Sequence, residues 1–261
     1  MFEGTEDEVY ALLSIDYVEE MIHVYRYANG LEYQYYYGMQ TNFLDKYGNV
    51  TAATNFAPGS LVELGRTDRQ GLLQEVRAAD SVWVYPDVVR FSVDETKHIF
   101  DIAGTEYKYD ASIFVFSDDE QIKITDLAEQ DKLTVIGKDK QILSIQVTTG
   151  HGALELLNTA LFEGSFVQLD TDYFAIITSN MKMEIPEGTY TLSVANDGWG
   201  GTVEIEIKRG ESTVVDLDEI KGDGPQYGDI VFTVNVEDAK ILVDNERVYP
   251  DSPICLKYGW H

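Results

Sequence analysis

The chain has 261 residues, with 46 acidic against 19 basic side chains, a formal net charge of −27 and 44% hydrophobic residues. A length of this order holds about two domains and buries enough apolar surface to fold without disulfides. The acidic excess argues against nucleic acid as a partner, because phosphate neutralisation by Lys and Arg supplies most of that affinity, and it opposes docking on an anionic membrane.

In chain order, Met1-Phe2-Glu3-Gly4-Thr5-Glu6-Asp7-Glu8 is acidic and has no apolar h-region, so it is not a signal peptide. Residues 21–27 and 31–37 read as strands, with Tyr33, Tyr35 and Tyr37 on one face and Tyr36 on the other. Leu72, Leu73, Val76 and Ala79 fall at helical spacing, as do Ala153, Leu156, Leu157, Ala160 and Leu161. Short apolar runs fit either element, so residues 67–83 and 151–163 stay open between helix and strand. Residues 133–136 and 142–147 read as strands. Further on, Tyr190, Leu192 and Val194 alternate, then Val203, Ile205 and Ile207 do the same. Asn196-Asp197-Gly198 between these runs supplies the positive φ of a tight hairpin. No stretch approaches the ~18 apolar residues of a membrane span, so no membrane insertion is predicted within the chain.

The first half repeats itself. Gly30-Leu31-Glu32-Tyr33-Gln34-Tyr35 matches Gly104-Thr105-Glu106-Tyr107-Lys108-Tyr109. Residues 41–64 align with 112–135 without a gap, setting Phe43 on Phe114, Asn55-Phe56 on Asp126-Leu127, and Val62 and Leu64 on Leu133 and Val135. Upstream, Leu13-Ser14-Ile15-Asp16 corresponds to Phe91-Ser92-Val93-Asp94. Each copy is a run of short strands that closes most simply into a small antiparallel barrel, which removes exposed sheet edges.

After Thr149-Gly150-His151-Gly152 the turns become denser, with Pro186, Pro225, Pro250 and Pro253 among the six prolines. Lys221-Gly222-Asp223-Gly224-Pro225 reads as the clearest linker. Two segments carry a family resemblance. Ile185-Pro186-Glu187-Gly188-Thr189-Tyr190-Thr191-Leu192-Ser193-Val194, then Asp197-Gly198-Trp199 and the strand from Val203 to Ile207, resembles the C-terminal half of a PEGA domain, named for its Pro-Glu-Gly motif. Ala239-Lys240-Ile241-Leu242-Val243-Asp244-Asn245, with Ser252-Pro253-Ile254-Cys255-Leu256 and Gly259-Trp260-His261, resembles the N-terminal half of another copy. Asn245 stands where the family usually has glycine, and asparagine tolerates positive φ. The opening half of the first module, around Phe162 to Val167, departs from the pattern. The resemblance covers about residues 152–261, with the last copy incomplete. It implies small β-sandwich modules of bacterial extracytoplasmic and surface proteins. The first half resembles small bacterial barrel domains of unknown function only loosely.

The predicted fold is therefore all-β: two tandem small antiparallel β-barrel-like repeats over 1–85 and 86–150, a PEGA-like β-sandwich over 151–225, and a partial second module over 226–261. The acidic start fits either a cytoplasmic chain that begins there or one from which a signal or anchor has been removed. Because the C-terminal Tyr258-Gly259-Trp260-His261 runs from a strand pattern into a turn and stops, the expectation is a fragment, extracytoplasmic, with its signal or anchor absent from this sequence.

Reactive constellations are absent from the pattern. His23, His98, His151 and His261 form no HExxH or related zinc spacing. His151 sits in a Gly-His-Gly turn and reads as structural. Cys255 is the one cysteine, which excludes an internal disulfide and a multi-Cys metal site. It alternates with Ile254 and Leu256 and has no assignable histidine partner, so it reads as a spectator thiol. No nucleophile elbow, Walker loop or dinucleotide fingerprint occurs. No cofactor is predicted. Calcium is the one candidate, through Asp118-Asp119-Glu120, Asp170 with Asp172, or Asp216 with Asp218, and none of these meets EF-hand spacing. Tyr33, Tyr35, Tyr37 and Trp199 are the candidate ligand contacts, because aromatic faces with polar tips suit sugars and protein partners; core packing is the alternative. The expected function is a non-catalytic spacer or binding module of the bacterial cell surface, with a cell-envelope protein or glycan as partner. The other readings are a ligand-sensing ectodomain of a membrane-anchored regulator and a carbohydrate-active enzyme or carbohydrate-binding protein.

Overall fold

The computed structural model describes residues 8–236, 238–249 and 252–261. The acidic start at residues 1–7 and the turn proline Pro250 lie outside the described residues. The chain is all-β and divides into two units, Met1–His151 and Gly152–His261.

The first unit begins with β1 (Val9–Asp16), β2 (Met21–Arg26), β3 (Leu31–Tyr36), β4 (Asn42–Leu44), β5 (Leu61–Leu64) and β6 (Glu75–Ala78). β1, β2 and β3 form an antiparallel meander, and β5 returns to pair with the start of β1. Three hairpin-linked strands with a fourth beside the first make a Greek key. β6 pairs with β5 antiparallel and with β4 parallel. Because β4 continues the path of β3, and Leu73 N–H donates to the Tyr36 carbonyl at 2.8 Å, the sheet closes on itself. Tyr10, Leu12, Ile22, Val24, Val62, Leu73 and Val76 fill the interior, as side chains do in a barrel this small. The segment 67–83 is strand and loop. Val76 is buried between β4 and β5, whose ladders take its backbone groups, and Gly71 at φ +88° breaks any helix.

The second barrel repeats this order with β7 (Trp83–Val88), β8 (Phe91–Asp94), β9 (Ile99–Ile102), β10 (Thr105–Ser117), β11 (Glu120–Ile122), β12 (Lys132–Lys138) and β13 (Gln141–Thr149). β7 and β8 together take the place of β1, and the long β10 takes the place of β3 and β4. The gapless sequence alignment sets the 3₁₀ turn Ala53–Asn55 on its counterpart Ile124–Asp126. Each barrel departs from a purely antiparallel set by one parallel pair, β4 with β6 and β10 with β13. The ring closes there because the chain crosses the barrel before its last strand.

Val9, Ala11, Leu61, Phe114, Phe116 and Ile136 form a shared apolar joint between the two barrels. Tyr27 Oη donates to the Leu143 carbonyl at 2.8 Å, and Gln146 Nε2 donates to the Pro58 carbonyl at 2.7 Å. Gly59 has φ +84°, and a Cβ there would lie 2.9 Å from the Phe116 ring, so the joint needs glycine at this place.

The second unit is a β-sandwich followed by two short ladders. Its strands are β14 (His151–Leu157), β15 (Phe166–Leu169), β16 (Tyr173–Ile176), β17 (Lys182–Pro186), β18 (Gly188–Asn196), β19 (Trp199–Ile207) and β20 (Ser212–Asp216), followed by the single helical turn α1 (Leu217–Ile220). One sheet runs β17-β14-β20 and the other β16-β15-β18-β19. Leu154, Leu156, Phe162, Leu169, Ile185 and Leu192 are buried between them. The open segment 151–163 is therefore a strand, with a 3₁₀ turn at Thr159–Leu161. The predicted β18–β19 hairpin pairs Asn196 with Trp199 across Asp197 and Gly198, at φ 47° and 89°. Beyond it, β21 (Tyr227–Ile230) pairs with β24 (Ile254–Lys257), and β22 (Ile241–Val243) with β23 (Glu246–Val248). Asp244 and Asn245 turn the latter hairpin with φ 51° and 68°.

Candidate functional site

A depression of about 940 Å³ opens on the first barrel where β3 passes into β4 and where β5 is joined to β6. Two backbone devices build its walls. On one side the chain turns at Gly38 to Thr41. The Thr41 hydroxyl accepts from Gly38 N–H at 2.9 Å and donates to the Leu73 carbonyl, so one side chain fastens both walls. Asn42 N–H then donates to the Gln74 carbonyl at 2.9 Å and starts the parallel ladder.

The other wall is an extension of the β5–β6 hairpin. Gly65 N–H donates to the Glu75 carbonyl and Gln74 N–H to the Arg66 carbonyl, at 2.9 and 3.0 Å. Asp68 folds the tip: its Oδ1 accepts from Gln70 N–H at 2.8 Å and Leu72 N–H at 2.9 Å. This is an Asx-type turn, in which a short carboxylate replaces a backbone acceptor.

Gln40, Asn42, Gln70 and Gln74 line the depression with four side-chain amides, and Arg66 and Arg69 add two guanidinium groups. All six residues are exposed. Neither arginine makes an ion pair among the described residues, although the carboxylates of Asp68 and Glu75 line the same space. The Asp68 oxygen is spent on its own turn, and Glu75 Oε1 accepts from Arg77 Nη2 at 2.8 Å. By contrast Arg26 and Arg209 are bound to Glu8 and Glu187. The lining therefore offers donors and acceptors in planar pairs plus two guanidinium groups outside any ion pair, and one oxygen of each carboxylate is occupied as an acceptor.

The aromatic candidates take other places. Alternation puts Tyr33, Tyr35 and Tyr37 on the inward face of β3 and leaves Tyr36 outside, 53% exposed. Tyr37 is buried, edge-on to Phe43 at 5.3 Å. Tyr33 and Tyr35 are half-buried and stack at 6.2 Å, and burial, then Tyr33, raises the Tyr35 phenol above its ordinary pKa. In the second unit Trp199 is half-buried against the sandwich core, and a Cβ on Gly224 would lie 2.6 Å from its ring, so the segment after α1 covers it.

Two of the acidic candidates, Asp170 and Asp216, accept from backbone N–H groups. Asp216 Oδ1 accepts from Asp218 N–H and Asn158 Nδ2, and these bonds, the Asn158 one first, hold its carboxyl below the usual range. Asp170 Oδ1 accepts from Thr191 N–H at 2.9 Å. No group of three or more His, Cys, Asp and Glu positioned to hold a metal ion occurs among the described residues. His151 Nδ1 lies 2.8 Å from Asp131 Oδ1.

The depression escaped sequence reading because its walls come from separate segments. A local signal existed: Arg66 and Arg69 flank Asp68 in a chain poor in basic residues. Comparison of the chain with protein-family models, curated proteins and solved structures finds no match in any of the three.

Proposed function

We propose that this protein is a non-catalytic binding module of the bacterial cell surface, with the depression on the first barrel as its binding site and the remaining β-modules as spacer. The observation that carries the reading is the lining itself: four amides and two uncommitted guanidinium groups around a broad, open space. Such a set recognises hydroxyls and carboxylates by hydrogen bonding. The hydroxyl in its lining, that of Thr41, donates to the Leu73 carbonyl and not to Asp68 or Glu75, so no nucleophile is paired with a base there.

The surface location rests on the PEGA-like motifs of residues 152–261. In support, the Pro186-Glu187-Gly188 turn joins β17 to β18 within a β-sandwich, the architecture that the resemblance implies. The net charge of −27 favours solubility at an envelope and disfavours self-association.

The test is a binding screen of the whole chain against purified bacterial wall polysaccharides and envelope proteins, with mass spectrometry of each ligand after incubation. Saturable binding with the ligand recovered intact supports the reading. Cleaved or modified ligand, or no binding to any envelope fraction, overturns it.

A further inference from the structure

We infer that the depression on the first barrel takes a carboxylated saccharide chain, a polymer of uronic-acid type, with Arg66 and Arg69 on its carboxylates; this rests on the binding-module reading above. The argument starts from charge. Arg26, Arg77 and Arg209 are each bonded to a glutamate, whereas Arg66, Arg69, Arg90 and Arg247 form no ion pair among the described residues, and of these four only Arg66 and Arg69 line the depression. Arg66 and Arg69 line a shared space with two carboxylates and pair with neither. Asp68 is held by Gln70 and Leu72 N–H, and Glu75 by Arg77, so the wall is folded in a way that leaves both guanidinium groups uncommitted. The overall field of the molecule opposes anions, so an anionic ligand needs local cations of this kind, and a neutral one does not. The guanidinium fork matches a carboxylate in two-point geometry.

The amides decide what carries the carboxylates. Gln40, Asn42, Gln70 and Gln74 each present a carbonyl acceptor beside an NH₂ donor. A fully ionised phosphoryl group offers acceptors to the NH₂ groups and no donor to the carbonyls, and inorganic phosphate near neutral pH has at most two O–H donors for four carbonyls. Sugar hydroxyls serve both. A peptide offers donors too, but strand-type capture of a peptide needs a free backbone edge. Here the edges are taken: Asn42 N–H goes to Gln74 O, Gln74 N–H to Arg66 O, and Leu73 N–H to Tyr36 O. A volume of about 940 Å³ is at the upper end of the ordinary ~300–1,000 Å³ range for ligand sites, enough for an extended oligomer lying across an open mouth.

The experiment is calorimetric titration of the whole chain with oligogalacturonate and oligomannuronate, with their carboxyl-reduced counterparts, and with poly-glutamate. At least one uronate oligomer is expected to bind, with its reduced form and poly-glutamate weaker by about tenfold or more. Arg66→Gln and Arg69→Gln are each expected to weaken it by about tenfold or more with the melting curve unchanged, because both side chains are exposed. Equal binding of the reduced oligomer, equal binding of poly-glutamate, or undiminished binding by both variants overturns the proposal. If neither uronate binds while the chain binds a neutral wall polysaccharide, this inference fails and the binding-module reading stands. If no envelope ligand binds at all, both fail.

Discussion

The Tyr27 hydroxyl donates to the Leu143 carbonyl at 2.8 Å, from one barrel to the other, and its ring lies edge-on to Tyr25 at 5.3 Å and to Phe114 at 6.3 Å. Burial, then the neighbouring Tyr25, holds this phenol well above the ordinary tyrosine range. Tyr10 is raised too, by burial first and then by Glu8. In the unfolded chain a tyrosine ionises near pH ~10. The folded state keeps the proton where the unfolded state releases it. Stability from the neutral phenol is therefore complete below about pH 10 and is lost progressively as pH rises above that value. Urea unfolding measured from pH 8 upward should show a falling limb that starts near pH ~10, steepening by up to about 1.4 kcal/mol per pH unit for each such tyrosine. Tyr27→Phe removes its own share and should flatten that limb, with Tyr10→Phe flattening it further. An alkaline limb equally steep in Tyr27→Phe would dismiss the assignment.

At the scale of elements, the two barrels share a turn that enters the strand after each 3₁₀ segment. Ser60 N–H donates to the Ala57 carbonyl at 3.0 Å while Ser60 Oγ accepts from Ala57 N–H at 3.2 Å. Asp131 does the same with Ala128, at 3.0 and 2.8 Å, and its second oxygen meets His151 Nδ1 at 2.8 Å. Asp131 is only 2% exposed, so the loss of its carboxylate leaves the buried Ala128 N–H without an acceptor. Asp131→Ala should cost about 1–3 kcal/mol in urea unfolding. Asp131→Ser keeps the acceptor, as Ser60 does, and should cost less; equal losses in the two variants would refute this account of the turn. Such turns were legible in the sequence because they are local: the gapless match of 41–64 to 112–135 already superposes Ala57 on Ala128 and Ser60 on Asp131. Strand alternation was legible for the same reason, and it grouped Tyr33, Tyr35 and Tyr37 without telling which face turns inward. What escaped were consequences of pairing between distant segments. Residues 67–83 became strand only because β4 and β5 receive Val76, and the depression exists only where 38–42 meets 65–75. Helical spacing and an Arg-x-x-Arg pattern carry no information about such partners.

At the scale of the first unit, each barrel has its own core, yet a domain of about 60 residues buries only about 60% of its unfolded surface and is marginal alone. The joint built from Val9, Ala11, Leu61, Phe114, Phe116 and Ile136 gives each barrel a further apolar contact and should make the two unfold together. Phe114 is its centre. The ring is 6% exposed and packs on Tyr25 at 4.8 Å and on Phe116 at 6.3 Å. Phe114→Ala should cost about 3–5 kcal/mol and release the coupling. Native-state hydrogen exchange reads this directly, since amides in one cooperative unit share one opening free energy. In the unaltered chain the protected amides of β2–β3 and β12–β13 should exchange with a common opening free energy, and in Phe114→Ala the two sets should separate. Phe100→Ala is the matched control, because Phe100 is fully buried in the second barrel's own core and lies outside the joint. It should lower the opening free energy while keeping the two sets together. Separate opening free energies in the unaltered chain would mean that the joint is a contact without coupling, and the barrels would then have to be treated as two independent folding units.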